Sequence, residues 1–126
     1  MNNERKLRVL IVEDEPIIAL GLSEMLMAAG FSIAGVTGKL IKALALIELD
    51  AIDVALIDAN LGGVSARPVG AALASRQIPY LVLSGYSEQQ QAGKFPDAAA
   101  FLQKPCVPAQ LVATLKRIAV KPTAVE

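Results

Sequence analysis

Five short apolar runs punctuate the chain, at Leu7 to Val12, Ser32 to Val36, Val54 to Ile57, Tyr80 to Leu83 and Ala99 to Leu102. Each is of strand length, and most lack the polar alternation of a half-exposed strand. Runs of this kind suit a parallel sheet buried on both faces, which needs helices on either side. The intervening stretches supply them. From Pro16 to Ala29 the residues Ile18, Leu22, Met25, Leu26 and Ala29 recur at spacings of three and four, with a proline suited to the first turn and Gly30 to the exit. A second helix is expected after Gly38, with Leu40, Leu44 and Ile47 on one face, and a third after Ser65, with Val69, Ala72 and Leu73 inward. Pro68 falls in the first turn of the third, where no amide bond is lost. The last helix begins near Pro108, carries Leu111, Leu115 and Ile118, and stops at Pro122. The stretch after the fourth run is weaker: Ser87 and Gln90 have capping-box spacing, but Gly93 and Pro96 cut the helix to a couple of turns. A short, mobile helix is predicted there.

Five alternations of strand and helix predict an α/β fold, a doubly wound (βα)5 three-layer sandwich around a five-stranded parallel sheet with right-handed crossovers. Ligands of such sheets bind beyond the carboxyl ends of the strands. A length of 126 residues suits one domain spanning 1–126, with a short tail from Lys121 to Glu126 and no output domain. Composition narrows the function. Twelve basic and twelve acidic residues cancel, which argues against a nucleic-acid partner. With no histidine and only Cys106, zinc, copper and haem sites have almost no ligands, and no internal disulfide can form. The opening stretch MNNERKLRVLIVEDEP has charges on both sides of its apolar run, so it reads as neither signal peptide nor membrane span, and a cytoplasmic location is expected.

The polar residues after the apolar runs would share one pocket. These are Glu13 and Asp14 after the first run, Asp58 after the third, Ser84 after the fourth and Lys104 after the fifth. Any one of the acids alone is as readily a turn former or helix cap. Together they pose an electrostatic problem, because carboxylates roughly 5 Å apart repel by about 3 kcal/mol per pair at an effective dielectric near 20. Magnesium suits such a site, taking one or two carboxylates and leaving its other positions to water and phosphate oxygens. A phosphoryl group would use the amine and the hydroxyl as well.

The segments VEDEP at Val12 to Pro16, LIDANLGG at Leu56 to Gly63, LSGY at Leu83 to Tyr86 and FLQKP at Phe101 to Pro105 resemble, in this order and spacing, the response-regulator receiver domains of two-component signalling. The resemblance runs from Leu7 to about Ile118 and implies a flavodoxin-like sheet with strand order 2-1-3-4-5. It implies that Asp58 is the phosphoacceptor and that Mg2+ is held directly by Asp14 and Asp58, through water by Glu13, and by the backbone carbonyl of Asn60. It further implies that Ser84 and Lys104 meet the phosphoryl oxygens, that Lys104 and Pro105 are joined by a cis bond, and that Phe101 is the aromatic switch residue. Several positions depart from the common pattern: Glu at 13 instead of Asp, Ser at 84 where Thr is frequent, Phe at 101 instead of Tyr, and Gly62-Gly63 where a proline is common, which leaves the rigidity of that loop open.

The function so implied is a phosphorylation-activated switch, not an enzyme acting on a separate substrate. The phosphoryl donor is expected to be a histidine kinase or a histidine phosphotransfer protein. Output is expected through protein contacts on the fourth helix, fifth strand and fifth helix. Three rivals are weighed. A pseudo-receiver would bind partners without phosphorylation. An aspartyl-phosphate phosphohydrolase usually needs a second acid two residues after its nucleophile, where this chain has Asn60. A flavodoxin-like cofactor binder is disfavoured because the acid-lined mouth would repel a flavin phosphate.

Overall fold

The structure, a computed structural model, describes residues 6–119; the expected tail from Lys121 to Glu126 lies outside the described residues. Its central layer is a five-stranded parallel sheet of β1 (Arg8–Val12), β2 (Ser32–Thr37), β3 (Val54–Asp58), β6 (Tyr80–Ser84) and β7 (Ala100–Gln103), in the order β2-β1-β3-β6-β7. Counted along the chain, these five occupy the flavodoxin-like order 2-1-3-4-5 expected from the sequence. Side chains alternate across the sheet, as the pleat demands. Leu10, Val12, Ala55, Ile57, Tyr80 and Val82 face one apolar layer, and Val9, Ile11, Val54, Leu56, Leu81 and Leu83 face the other. A strand with two apolar neighbours has no use for a polar residue, which is why the runs are continuous.

Helices α1 (Pro16–Ala28) and α5 (Pro108–Ala119) cover one face, and α2 (Leu40–Leu49) and α3 (Arg67–Ser75) the other. In α5, Leu111 and Leu115 are buried, and in α3, Val69 and Leu73. In α1 the buried stripe is Ala19, Ser23 and Leu26, with Leu22 and Met25 at its margin, and Ile18 is turned largely outward, contrary to the sequence reading. The cause is that α1 is apolar on nearly every side: with Ile17, Ile18 and Leu20 in succession, spacing alone cannot choose the stripe. In α2 the buried residues are Ala43 and Ile47, and Leu44 is only half-buried. Small residues seat both helices close to the sheet.

Two features depart further from a plain strand–helix alternation. After β3 the chain forms a miniature antiparallel hairpin, β4 (Asn60–Leu61) and β5 (Val64–Ser65), turned by Gly62 and Gly63 at φ +61° and +91°. Two successive residues with positive φ make the tight turn that glycine pairs favour. The loop whose rigidity the sequence left open is therefore hydrogen-bonded structure. The segment after β6 is a four-residue helix, α4 (Glu88–Gln91), entered by the expected capping box: the Ser87 side chain accepts from the Gln90 amide while the Gln90 side chain accepts from the Ser87 amide. Its apolar anchor lies just beyond it, at Phe95, which is buried in the core near Gly70 and Tyr80.

Candidate functional site

The register of the parallel strands brings the carboxyl ends of β1, β3, β6 and β7 to one rim. Asp58 closes β3 opposite Leu83, and Ser84 closes β6 opposite Gln103. The Glu13 amide donates to the Thr37 carbonyl at 2.9 Å, so the acidic end of β1 stays tied to β2. The Lys104 amide donates to the Ser84 carbonyl at 2.7 Å, fastening the two strand ends from which the hydroxyl and the amine project.

These residues meet. The Lys104 Nζ donates to Asp58 Oδ2 at 2.8 Å, and the Asn60 amide donates to Asp58 Oδ1 at 3.0 Å. Carboxylate oxygens of Glu13, Asp14 and Asp58 lie within 4.8 Å of one another. Glu13 and Asp58 are buried, at 3% and 7% exposure, and Asp14 is exposed. The Glu15 amide donates to Glu13 Oε2 at 3.1 Å, whereas Glu13 Oε1 is enclosed without a hydrogen-bond partner among the described residues. Burial pushes the Glu13 carboxyl up to about 7; the Glu15 amide opposes the rise, and the charge of Asp58 adds to it. For Lys104, burial alone would lower the pKa, but the hydrogen bond to Asp58 and the charges of Asp58, Glu13 and Glu15 outweigh it, so the ammonium is held above its ordinary value.

The Ser84 Oγ accepts from the Tyr86 amide at 2.9 Å. The Lys104–Pro105 bond is cis, and Phe101 is half-buried against the core opposite Val82. Each residue singled out from the sequence thus lies at the rim or directly behind it. Asn60 lines the same cavity and turns its side chain to the hairpin, its Oδ1 accepting from the Gly63 amide at 2.6 Å.

A cavity of about 480 Å³ opens over Asp58, walled by Asp14 and Glu15 on one side and the hairpin on another. Its far wall is formed by Tyr86, Gln91 and Lys94, from α4 and its approaches. Sequence reasoning did not single out Glu15, Gln91 or Lys94. It also read Gly38 only as a helix boundary. A Cβ at Gly38 would lie 2.3 Å from the Asp14 Cα, so only glycine lets the loop before α2 rest on the acidic loop. No local signal announces such a contact.

With strand order, acidic triad and lysine in place, comparison with known proteins decides the family: residues 9–116 match the response regulator receiver domain. The chain belongs to that family. It is a receiver domain of two-component signalling, a class of signalling switches that work with histidine kinases and phosphotransfer proteins. It is 28% identical to the phyllosphere-induced regulator PhyR of Methylorubrum extorquens over 115 residues, covering 86% of this chain and 42% of that protein, so the receiver domain spans less than half the length of this relative. The solution structure of the PhyR receiver domain of Erythrobacter litoralis superposes with a TM-score of 0.80 at 26% identity, covering 95% of this chain and 97% of that one. The receiver domain of the sensor histidine kinase PA1611 of Pseudomonas aeruginosa PAO1, described with a magnesium ion coordinated in its active site cleft, also gives 0.80. It is 21% identical, covers 91% of this chain and 98% of its own, and shows likeness of fold. No helix among the described residues is long and apolar enough to cross a membrane.

Proposed function

We propose that this receiver domain is a phosphorylation-controlled switch in the cytoplasm, in which Asp58 accepts a phosphoryl group from a phosphohistidine on a histidine kinase or phosphotransfer protein. The observation that carries the reading is the pairing of a buried aspartate with a single lysine at 2.8 Å, inside a triad of carboxylates at the mouth of a cavity. One ammonium, that of Lys104, is ion-paired with Asp58 in a triad of three acids. A hard divalent cation fits this deficit: the donors are all oxygen, they lie within 4.8 Å of one another, and the enclosed Glu13 Oε1 lacks a partner. Asp14, Asp58, the Asn60 carbonyl and, through water, Glu13 would hold Mg2+, as the PA1611 receiver holds its ion in its cleft. When bound, Mg2+ supplies positive charge to the carboxylates and to the phosphoryl oxygens.

Transfer then needs little acid–base chemistry. An Asp58 oxygen attacks phosphorus, the N–P bond of the phosphohistidine breaks, and the imidazole leaves; positioning and charge neutralisation are what the protein contributes. Lys104 leaves its ion pair with one carboxylate oxygen to meet the transferred phosphoryl oxygens. The Ser84 hydroxyl turns from the Tyr86 amide to do the same, so the loop into α4 feels the modification. Phe101 follows into the space behind Ser84, and partners read the change through protein contacts. An aspartyl-phosphate phosphohydrolase fits less well, because Asn60 carries no acidic proton and its Oδ1 is engaged by the hairpin.

Incubation with a small phosphoryl donor, followed by intact-mass measurement, tests the reading. One phosphoryl group should add in the presence of Mg2+, little without it, and none in Asp58→Asn. Equal uptake by that variant would contradict the assignment.

A further inference from the structure

Helix α2 buries Ala43 and Ile47 against the sheet and turns a patterned face outward. Ile41, Lys42, Ala45, Glu48 and Leu49 are all exposed, Ile41 at 75% and Leu49 at 81%. Single exposed apolar residues are ordinary, but these are arranged. Ile41, Ala45 and Leu49, four apart, form one continuous ridge along the outer face, with Lys42 on one flank of it and Glu48 on the other. The arrangement is symmetric about Ala45: reversing the helix brings Leu49 to the level of Ile41 and Glu48 to the level of Lys42. Within one helix Lys42 and Glu48 are six residues apart on opposite flanks and cannot pair with each other. Neither has an ion-pair partner among the described residues.

We infer that this face of α2 is a self-association surface, and that its occupant is α2 of a second copy of the chain, packed antiparallel about a two-fold axis at Ala45. Ile41 of each copy then meets Leu49 of the other, and Lys42 meets Glu48, each contact made twice as an isologous interface requires. The small Ala45 side chain at the centre lets the helices come close, and a shallow crossing of about 20° draws the opposite charges towards each other. Charge selects the occupant. A partner of one sign would satisfy one flank and repel the other, whereas an antiparallel copy satisfies both. No residue of α2 lines the cavity over Asp58, so association leaves that site open. The face is ten residues long and lies at the small end of specific interfaces, so the dimer is weak, with a Kd on the order of 100 µM.

Sedimentation of the full chain from roughly 10 µM to 1 mM, a range that brackets this affinity, should show monomer passing to dimer. Lys42→Glu and Glu48→Lys, both at exposed positions, should each weaken the dimer by about tenfold or more, because each sets like charges together twice. The double variant Lys42→Glu/Glu48→Lys should recover it. An equimolar mixture of the two single variants should form a mixed dimer, since one chain then carries only acids at the two positions and the other only lysines. A chain that stays monomeric at the top of the range leaves the face to a different protein and overturns the inference. A dimer indifferent to both charge reversals overturns it too, as does one that neither the double variant nor the mixture restores.

Discussion

At Asp58 the carboxylate oxygens are already divided, Oδ2 facing Lys104 and Oδ1 the Asn60 amide, so the carboxylate proposed as the acceptor is held in one orientation. The acids around it differ in setting: Glu13 is buried with one oxygen unpartnered, and Asp14 is exposed at the mouth. This contrast accords with Asp14 as a direct ligand and Glu13 as one acting through water. On that reading Glu13→Ala should weaken Mg2+ binding by about 10–100-fold, the usual cost of losing an outer contact, and Asp14→Ala by more. Metal titrations of the two variants check this, and equal losses would count against the ligand order. The positions of these residues were legible in the sequence because each closes or follows an apolar run; the roles came from the family resemblance. Gly38 was not, because its close approach to Asp14 joins two loops that are distant along the chain.

Among the elements, α4 stands apart. It has four residues, a side-chain cap and one apolar anchor at Phe95, whereas α1, α2, α3 and α5 each bury a stripe. A segment with so little buried apolar area opens at low cost, and it lies directly behind Ser84. Amide exchange from Gly85 to Lys94 should be fast in the resting protein and slow on phosphorylation or on adding a beryllofluoride mimic, with α1 scarcely changed; protection gained at α1 and α2 instead would place the switch on the wrong face. Close to Gly70 of α3, Tyr80 of β6 supports a second prediction. Burial and then the charge of Asp97 push its phenol up to about 12. A folded pKa above the unfolded value near 10 means a contribution fully present below pH 10 and lost as pH rises through 12, worth about 2–3 kcal/mol. Tyr80→Phe should therefore flatten the alkaline fall in stability relative to the unmodified chain, as denaturant melts at several pH values would reveal; identical slopes would contradict it. The capping box of α4 could be read from two residues. The hairpin after β3 was signalled by paired glycines, although the same pair also reads as a departure from the proline common in the family. The buried stripe of α1 could not be read, because an all-round apolar helix leaves the choice to its packing partners.

For the molecule as a whole, continuous apolar strands established the layers, since residues such as Leu10 and Ile11 can be adjacent and both buried only where helices cover both faces. The order of the strands did not follow from that pattern. It came from the motifs VEDEP, LIDANLGG, LSGY and FLQKP, which carry the family resemblance, and the sheet agrees with it. The output surface expected at the fourth helix, fifth strand and fifth helix came from the same resemblance, whereas the exposed apolar residues Ile17, Ile41 and Leu49 lie on α1 and α2. The proposed switch turns on one covalent event at one strand end. Reductive trapping of the phosphorylated chain with borohydride converts an aspartyl phosphate to homoserine, and peptide mass mapping then locates it. Homoserine is expected at position 58 alone, formed only when Mg2+ and a phosphoryl donor are both supplied; homoserine at Asp14 or elsewhere, or none at all, would rule out Asp58 as the acceptor.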